Sequence, residues 1–98
     1  MDAVLLPDGL FVSMTEGTTL SHVTVIAGKG RDRKIDMVDV LVDIYGGHES
    51  EWTKKKGFAY LDYMGESWKA ELHWYEEPTV GRVEVKVKTK NGEWRIDG

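Results

Sequence analysis

His73 is the side chain best suited to proton transfer near neutral pH, and carboxylates and cations recur around it at spacings of two. Residues 70–88 read AELHWYEEPTVGRVEVKVK, two alternating runs joined by Glu77-Pro78-Thr79-Val80. Strand side chains alternate between faces, so pairing the runs around that loop predicts one apolar and one polar face. The expected polar pairs are Tyr75 with Arg82, His73 with Glu84, and Glu71 with Lys86. The expected apolar pairs are Trp74 with Val83, Leu72 with Val85, and Ala70 with Val87.

Such a polar face contains what metal-independent cleavage of RNA requires. A base must take the 2′-hydroxyl proton, an acid must protonate the leaving 5′-oxygen, and cations must meet the charge developing on the phosphate. His73 reads as base or acid, with Glu71 or Glu84 as its partner. Arg82, Lys86 and Lys88 read as phosphate-holding cations, and Tyr75 or Tyr60 as a surface for stacking a base. A solvated sheet face collects the same cross-strand pairs, each contributing roughly 0.2–1 kcal/mol, so both readings stand at this point.

Other motifs say less. Lys29, between Gly28 and Gly30, reads as a phosphate contact from a loop without the length or ending of a P-loop, or as a plain turn. Lys54-Lys55-Lys56 beside Trp52 reads as a nucleic-acid contact or a solvated helix end. His22, His48 and His73 are too far apart in sequence to suggest a zinc site, and no dinucleotide, GxSxG or calcium-loop motif occurs. No metal and no cofactor is therefore expected.

These residues need elements to position them. Val4-Leu5-Leu6 and Leu10-Phe11-Val12 around Pro7-Asp8-Gly9 predict a small hairpin, residues 13–21 a loop, and His22–Ala27 a strand. Residues 34–45 predict the main helix: Ile35, Val38, Leu41, Val42 and Tyr45 share one face, Asp36, Asp39 and Asp43 another. Asp32 is the expected N-cap and Gly46-Gly47 the stop, with a further helical turn from Glu49 to Lys55 around Trp52.

From Gly57 onward a strand meander is expected. Gly65-Glu66 predicts a type II′ turn placing Leu61 opposite Ala70, and Asn91-Gly92 a type I′ turn placing Thr89 opposite Trp94, Val87 opposite Ile96 and Lys88 opposite Arg95. All three hairpins give the same apolar face, which the helix is expected to cover. The predicted architecture is α+β: one main helix on a four-stranded antiparallel meander, with an extra N-terminal hairpin or strand.

Composition sets the outer limits. The 98 residues fit a single domain spanning 1–98, and 41% apolar with 31% charged residues fits a folded globule. There is no cysteine, which excludes a disulfide framework and a thiolate nucleophile and fits a cytoplasmic protein. No apolar run approaches the ~20 residues that span a bilayer, so no membrane partner is expected. The net charge of −4 argues against general nucleic-acid binding, but it is unevenly placed. Residues 1–52 carry four basic and nine acidic side chains, residues 53–95 nine basic and seven acidic, which keeps a local cationic site open.

The string SHVTVIAGKGRDRKIDMVDVLVDIYGG, then Trp52-x-Lys-Lys-Lys-Gly57, then AELHWYEEPTVGRVEVKVK resembles a C-terminal domain of bacterial polymorphic toxins and phage head-morphogenesis proteins. The resemblance covers about residues 22–90 and implies a barnase-like RNase arrangement, helices followed by a four-stranded antiparallel sheet. Carried over to this chain, it implies His73, Glu76, Arg82, Glu84, Lys86 and Lys88 as site residues, with Lys29 approaching from the preceding loop. RNA is the partner implied by that reading. The alternative is a non-catalytic binding module, such as an acidic immunity-like protein that masks a cognate protein partner.

Overall fold

Alternation of side chains is more extensive in the structure than the sequence patterning suggests. The computed structural model describes residues 3–90 and 93–94. Its strands are β1 (Ala3–Leu5), β2 (Phe11–Ser13), β3 (Ser21–Gly28), β4 (Thr53–Tyr63), β5 (Glu66–Glu77), β6 (Gly81–Val87), β7 (Thr89–Lys90) and β8 (Glu93–Trp94). A single helix, α1 (Val38–Tyr45), and one 3-10 turn at Glu49–Glu51 complete the described elements. No helix among the described residues is long and apolar enough to cross a membrane.

The expected four-stranded antiparallel meander is not what forms. The main sheet has six strands in the order β2-β1-β6-β5-β4-β3, and it is mixed, because β1 runs parallel to β6 with Leu5 beside Lys86. Strand accounts for 53% of the described residues and helix, with the 3-10 turn, for 12%, so the described chain is mostly sheet. The expected fourth strand lies instead in a separate two-stranded pair, β7 with β8. Thr89 does face Trp94 there; the Asn91-Gly92 turn and the pairings of Arg95 and Ile96 fall outside the described residues.

The sheet curls around an apolar core. Just past β2, Met14 bridges to Leu61 of β4, and Thr15 N–H donates to the Tyr60 carbonyl at 2.8 Å. Val4, Leu6, Met14, Ala59, Leu61, Ala70, Leu72, Trp74, Val85 and Val87 are buried together inside this curl. The N-terminal hairpin therefore covers the apolar face that the helix was expected to cover. The helix packs on the opposite side, where Leu41 and Ile35 meet Ala27 and Trp52, with Tyr75, Val80 and Val83 against them.

Three local causes explain the departures. Gly57, expected as the start of the meander, lies within β4: a Cβ there would come within 3.0 Å of the Trp74 ring and 3.1 Å of the Ser21 carbonyl. Glycine makes room for tryptophan across the strand, so β4 starts at Thr53 and Lys54, Lys55 and Lys56 are strand residues rather than a helix end. The β4–β5 turn is Met64-Gly65, both at positive φ, which gives the type I′ turn instead of the expected II′. That slides the register by two residues, so Ala59 faces Ala70 while the faces are preserved.

The β5–β6 connection is the third. Glu77 pairs with Gly81 across three residues, not four, which by itself would exchange the faces of β6. A bulge then intervenes between the His73 and Tyr75 pairings, with Glu84 at φ 53. Beyond the bulge Val85 and Val87 return to the expected apolar face, but Val83 pairs with Tyr75 on the helix side.

The helix is shorter than the predicted 34–45. Gly28 N–H donates to the Arg33 carbonyl and Arg31 N–H to that of Gly28, tying residues 28–33 back onto β3. Met37, not Asp32, stands at the N-cap, and no side chain caps it. Gly46 at φ 87 ends the helix as expected, its N–H bonding the Val42 carbonyl.

Candidate functional site

On β5 the alternation places Glu71, His73, Tyr75 and Glu77 on the face away from the curled core. The helix covers the Tyr75 and Glu77 end of that face. At the other end His73 and Glu71 are each 8% exposed, and His73 Nε2 lies 2.8 Å from Glu71 Oε2. A carboxylate only accepts, so Nε2 carries the hydrogen and Nδ1 keeps the lone pair. Among the described residues no hydrogen bond occupies Nδ1.

His73 opens into a cavity of about 360 Å³ that it lines with Lys54, Lys86, Lys88 and the hairpin residues Leu5 and Pro7. The register explains this. Lys86 of β6 is directly opposite His73, and Lys54 of β4 is opposite Tyr75, one place along. Lys88 leaves β6 with its N–H on the Glu71 carbonyl at 2.9 Å. No carboxylate of the described residues forms an ion pair with Lys86 or Lys88.

Burial holds the His73 pKa below its ordinary value, and the charges of Lys88 and Lys54 push the same way against the opposing pull of Glu71. The balance favours the neutral imidazole, the form a base requires. The Lys54 ammonium is also easier to deprotonate than usual, first through burial and then through Lys86, Arg33 and Lys88. Its Nζ sits 5.7 Å from the centre of the Tyr75 ring. Among the described residues no three His, Asp or Glu side chains gather as a metal-binding group.

The structure brings together His73, Glu71, Lys86, Lys88 and, beside them, Tyr75. It separates the others. The expected pairing of His73 with Glu84 is replaced by His73 with Lys86, and Glu84 instead accepts from Tyr45 Oη at 3.0 Å near the helix end. Arg82 pairs in register with Glu76, on the Trp74 side of β5. Glu76 is held there by Lys55 at 2.7 Å and by Trp74 Nε1 at 3.1 Å, so neither Arg82 nor Glu76 joins His73. Lys29 lines a different cavity and forms an ion pair with Glu51 at 2.8 Å.

Two residues were missed by reading the sequence. Lys54 reads from the sequence as a nucleic-acid contact or a helix end, with no link to His73, although extending the alternation of β4 backward through Gly57 places it on the His73 face. Glu77 was read as part of a loop. It is only 1% exposed and accepts from His48 N–H at 2.7 Å, from Thr79 N–H and Oγ1, and from Val80 N–H. The Thr79 hydroxyl and amide, helped by His48 and Val80, outweigh burial and bring its pKa down to about 2. The signal available was the Glu-Pro-Thr string, an acidic residue just before a turn.

No family model, curated protein or solved structure matches this chain.

Proposed function

We propose that the protein is a small toxin-type ribonuclease that cleaves RNA without a metal, with His73 as its proton-transfer group. The buried Glu71–His73 pair, opening into a cavity lined by Lys54, Lys86 and Lys88, supports this reading above all else. A neutral imidazole oriented by a carboxylate through Nε2 offers Nδ1 to a 2′-hydroxyl. As Nδ1 takes that proton, the 2′-oxygen bonds to phosphorus and the bond from phosphorus to the 5′-oxygen breaks. The products are a 2′,3′-cyclic phosphate and a free 5′-hydroxyl.

Lys86 and Lys88 offset the charge gathering on the non-bridging oxygens. Lys54, with its proton already loosened by burial and its cationic neighbours, protonates the departing 5′-oxygen. Tyr75 lies too close to the helix to offer a free ring face, so base stacking falls to the exposed Tyr60 or to none.

The test is incubation of purified protein with RNA in the presence of a chelator, beside His73→Ala. Cleavage by the wild type, reduced about 10²–10⁴-fold in the variant, is expected. Intact RNA with folded wild-type protein would overturn the proposal. A second reading draws on the helix: Val40 and Ile44 are exposed, Ile44 at 62%, among Asp36, Asp39 and Asp43. An acidic, partly apolar helix face suits an immunity-like partner of a basic protein, and binding of such a protein by a chain that cleaves nothing would favour it.

A further inference from the structure

The Gly28-Lys29-Gly30 motif is not absorbed by the His73 site, yet it borders the larger cavity, about 720 Å³. Part of the motif is structural. Gly28 sits at φ 92 with the Trp52 carbonyl so close that a Cβ would collide with it, and Lys29 is engaged by Glu51. The remaining groups point to a ligand. Arg31 is anchored by its Nε to the Val25 carbonyl at 2.7 Å, which fixes the guanidinium and leaves its terminal N–H groups unused by that bond. Lys34 lines the same cavity, and among the described residues no ion pair holds it. Ile35 and Val38 give it an apolar wall, and Glu49 is the one acidic residue on its lining.

A cationic path joins the two cavities. Lys86 faces His73, Lys54 lies next along β4, and Lys54 in turn faces Ala27 of β3, one residue before Gly28. With strands spaced about 4.8 Å apart, the step from β6 to β3 is roughly 15 Å. Arg33 is close enough for its charge to be felt at both Lys54 and Tyr75, as is that of Asp36. Glu84 is felt at Tyr75 as well, so cations predominate on the path without being alone there. Seven of the 13 Lys and Arg residues lie on this path, in a chain whose net charge is −4.

We propose that the cavity at Gly28–Lys34 is a second phosphate subsite for a single-stranded RNA whose reacting phosphate lies at His73. The proposal rests on the ribonuclease reading of His73 and adds the substrate class: an extended single strand rather than a dinucleotide or a folded duplex. Arg31 and Lys34 hold a flanking phosphate, and Ile35 with Val38 takes the apolar side of a neighbouring nucleotide.

Two measurements separate this from the His73 reading. The first is fluorescence-anisotropy binding of a non-cleavable 2′-O-methyl strand of about 8 nucleotides, within the range single-strand sites commonly span. Arg31→Gln with Lys34→Gln should weaken it about tenfold. Lys34→Gln alone serves if loss of the Val25 bond unfolds the double variant. The second is cleavage of a dinucleoside monophosphate, which should be unchanged by the same substitutions and lost in His73→Ala. Equal affinity of wild type and variants for the long strand, or no binding by wild type, overturns the subsite. So does an equal loss on long and short substrates. Binding that depends on Arg31 and Lys34 without cleavage of either substrate would leave the subsite standing and remove the ribonuclease reading.

Discussion

Glu71 and Glu77 sit six residues apart on one face of β5, both buried, and their surroundings make them different groups. Glu77 is enclosed by donors from the turn after it and from His48, a full set of N–H and O–H groups that favours the charged form. It joins the segment after the helix to the β5–β6 turn, and all its bonds are structural. Glu71 shares its bond with an imidazole that itself titrates, beside a cavity lined with cations. A carboxylate saturated by backbone donors holds a fold together. One bonded to a titratable partner can tune a proton transfer.

That contrast can be broken most directly through activity. Glu71→Gln, which keeps the volume and an oxygen to accept from His73 Nε2 but removes the charge, should cut RNA cleavage by about 10²-fold while leaving the thermal unfolding midpoint near that of wild type. Glu77→Ala should do the reverse, lowering the midpoint clearly and leaving kcat near wild type at temperatures where the variant is folded. A Glu71→Gln protein that loses stability and activity together would erase the distinction.

Next in size is Gly47→Ala. Gly47 holds φ 77, and a Cβ there would strike the Glu77 carboxylate, so about 1–3 kcal/mol of stability should be lost, read from denaturant unfolding. If the midpoint does not move, the Glu77 staple is looser than its bonds indicate.

Acid should separate the two regions again. Glu77 has a folded pKa of about 2, below its unfolded value, so its contribution is complete above roughly pH 4.3 and disappears as pH falls toward 2. His73 has a folded pKa below its unfolded value of roughly 6.5, so the unfolded chain binds the extra proton and stability declines as pH drops below that value. Unfolding midpoints measured against pH should therefore show two declines. Glu77→Gln should shrink the lower one, to which Glu76 with its lowered pKa also contributes, and His73→Gln should remove the upper one.

The smallest expected effect is on the rate profile. The acidic limb of kcat/KM should lie below roughly pH 6.5, and Glu71→Gln should move it lower still, because Glu71 is the charge that favours the imidazolium. A limb that moves upward would show that Glu71 does not act on His73.

Much of the local structure was legible in the chain. The N-terminal hairpin, the β3 strand, the Gly46 stop and the two long alternating runs follow from Pro and Gly placement and from period-two patterning. That Glu71, His73, Lys86 and Lys88 share one face was also legible, since alternation puts all four on the polar side of the paired runs, but not that Lys86 rather than Glu84 stands opposite His73. The position of Lys54 was not, because the meander is expected to begin only at Gly57, which is in fact a gap inside β4 made for Trp74. Nor could the loop length at Glu77 be read, since the bulge at Glu84 compensates for it and leaves the apolar pattern almost intact.

By itself, then, the sequence determined which residues alternate and which carry protons and charge, because those are properties of neighbours along the chain. Only the tertiary structure decided that β1 joins β6 in parallel, that the N-terminal hairpin rather than the helix closes the core, and that Arg82, Glu84 and Lys29 stand away from His73. Those outcomes depend on contacts between distant segments, where one bulge or one glycine beside a tryptophan decides which face a side chain joins.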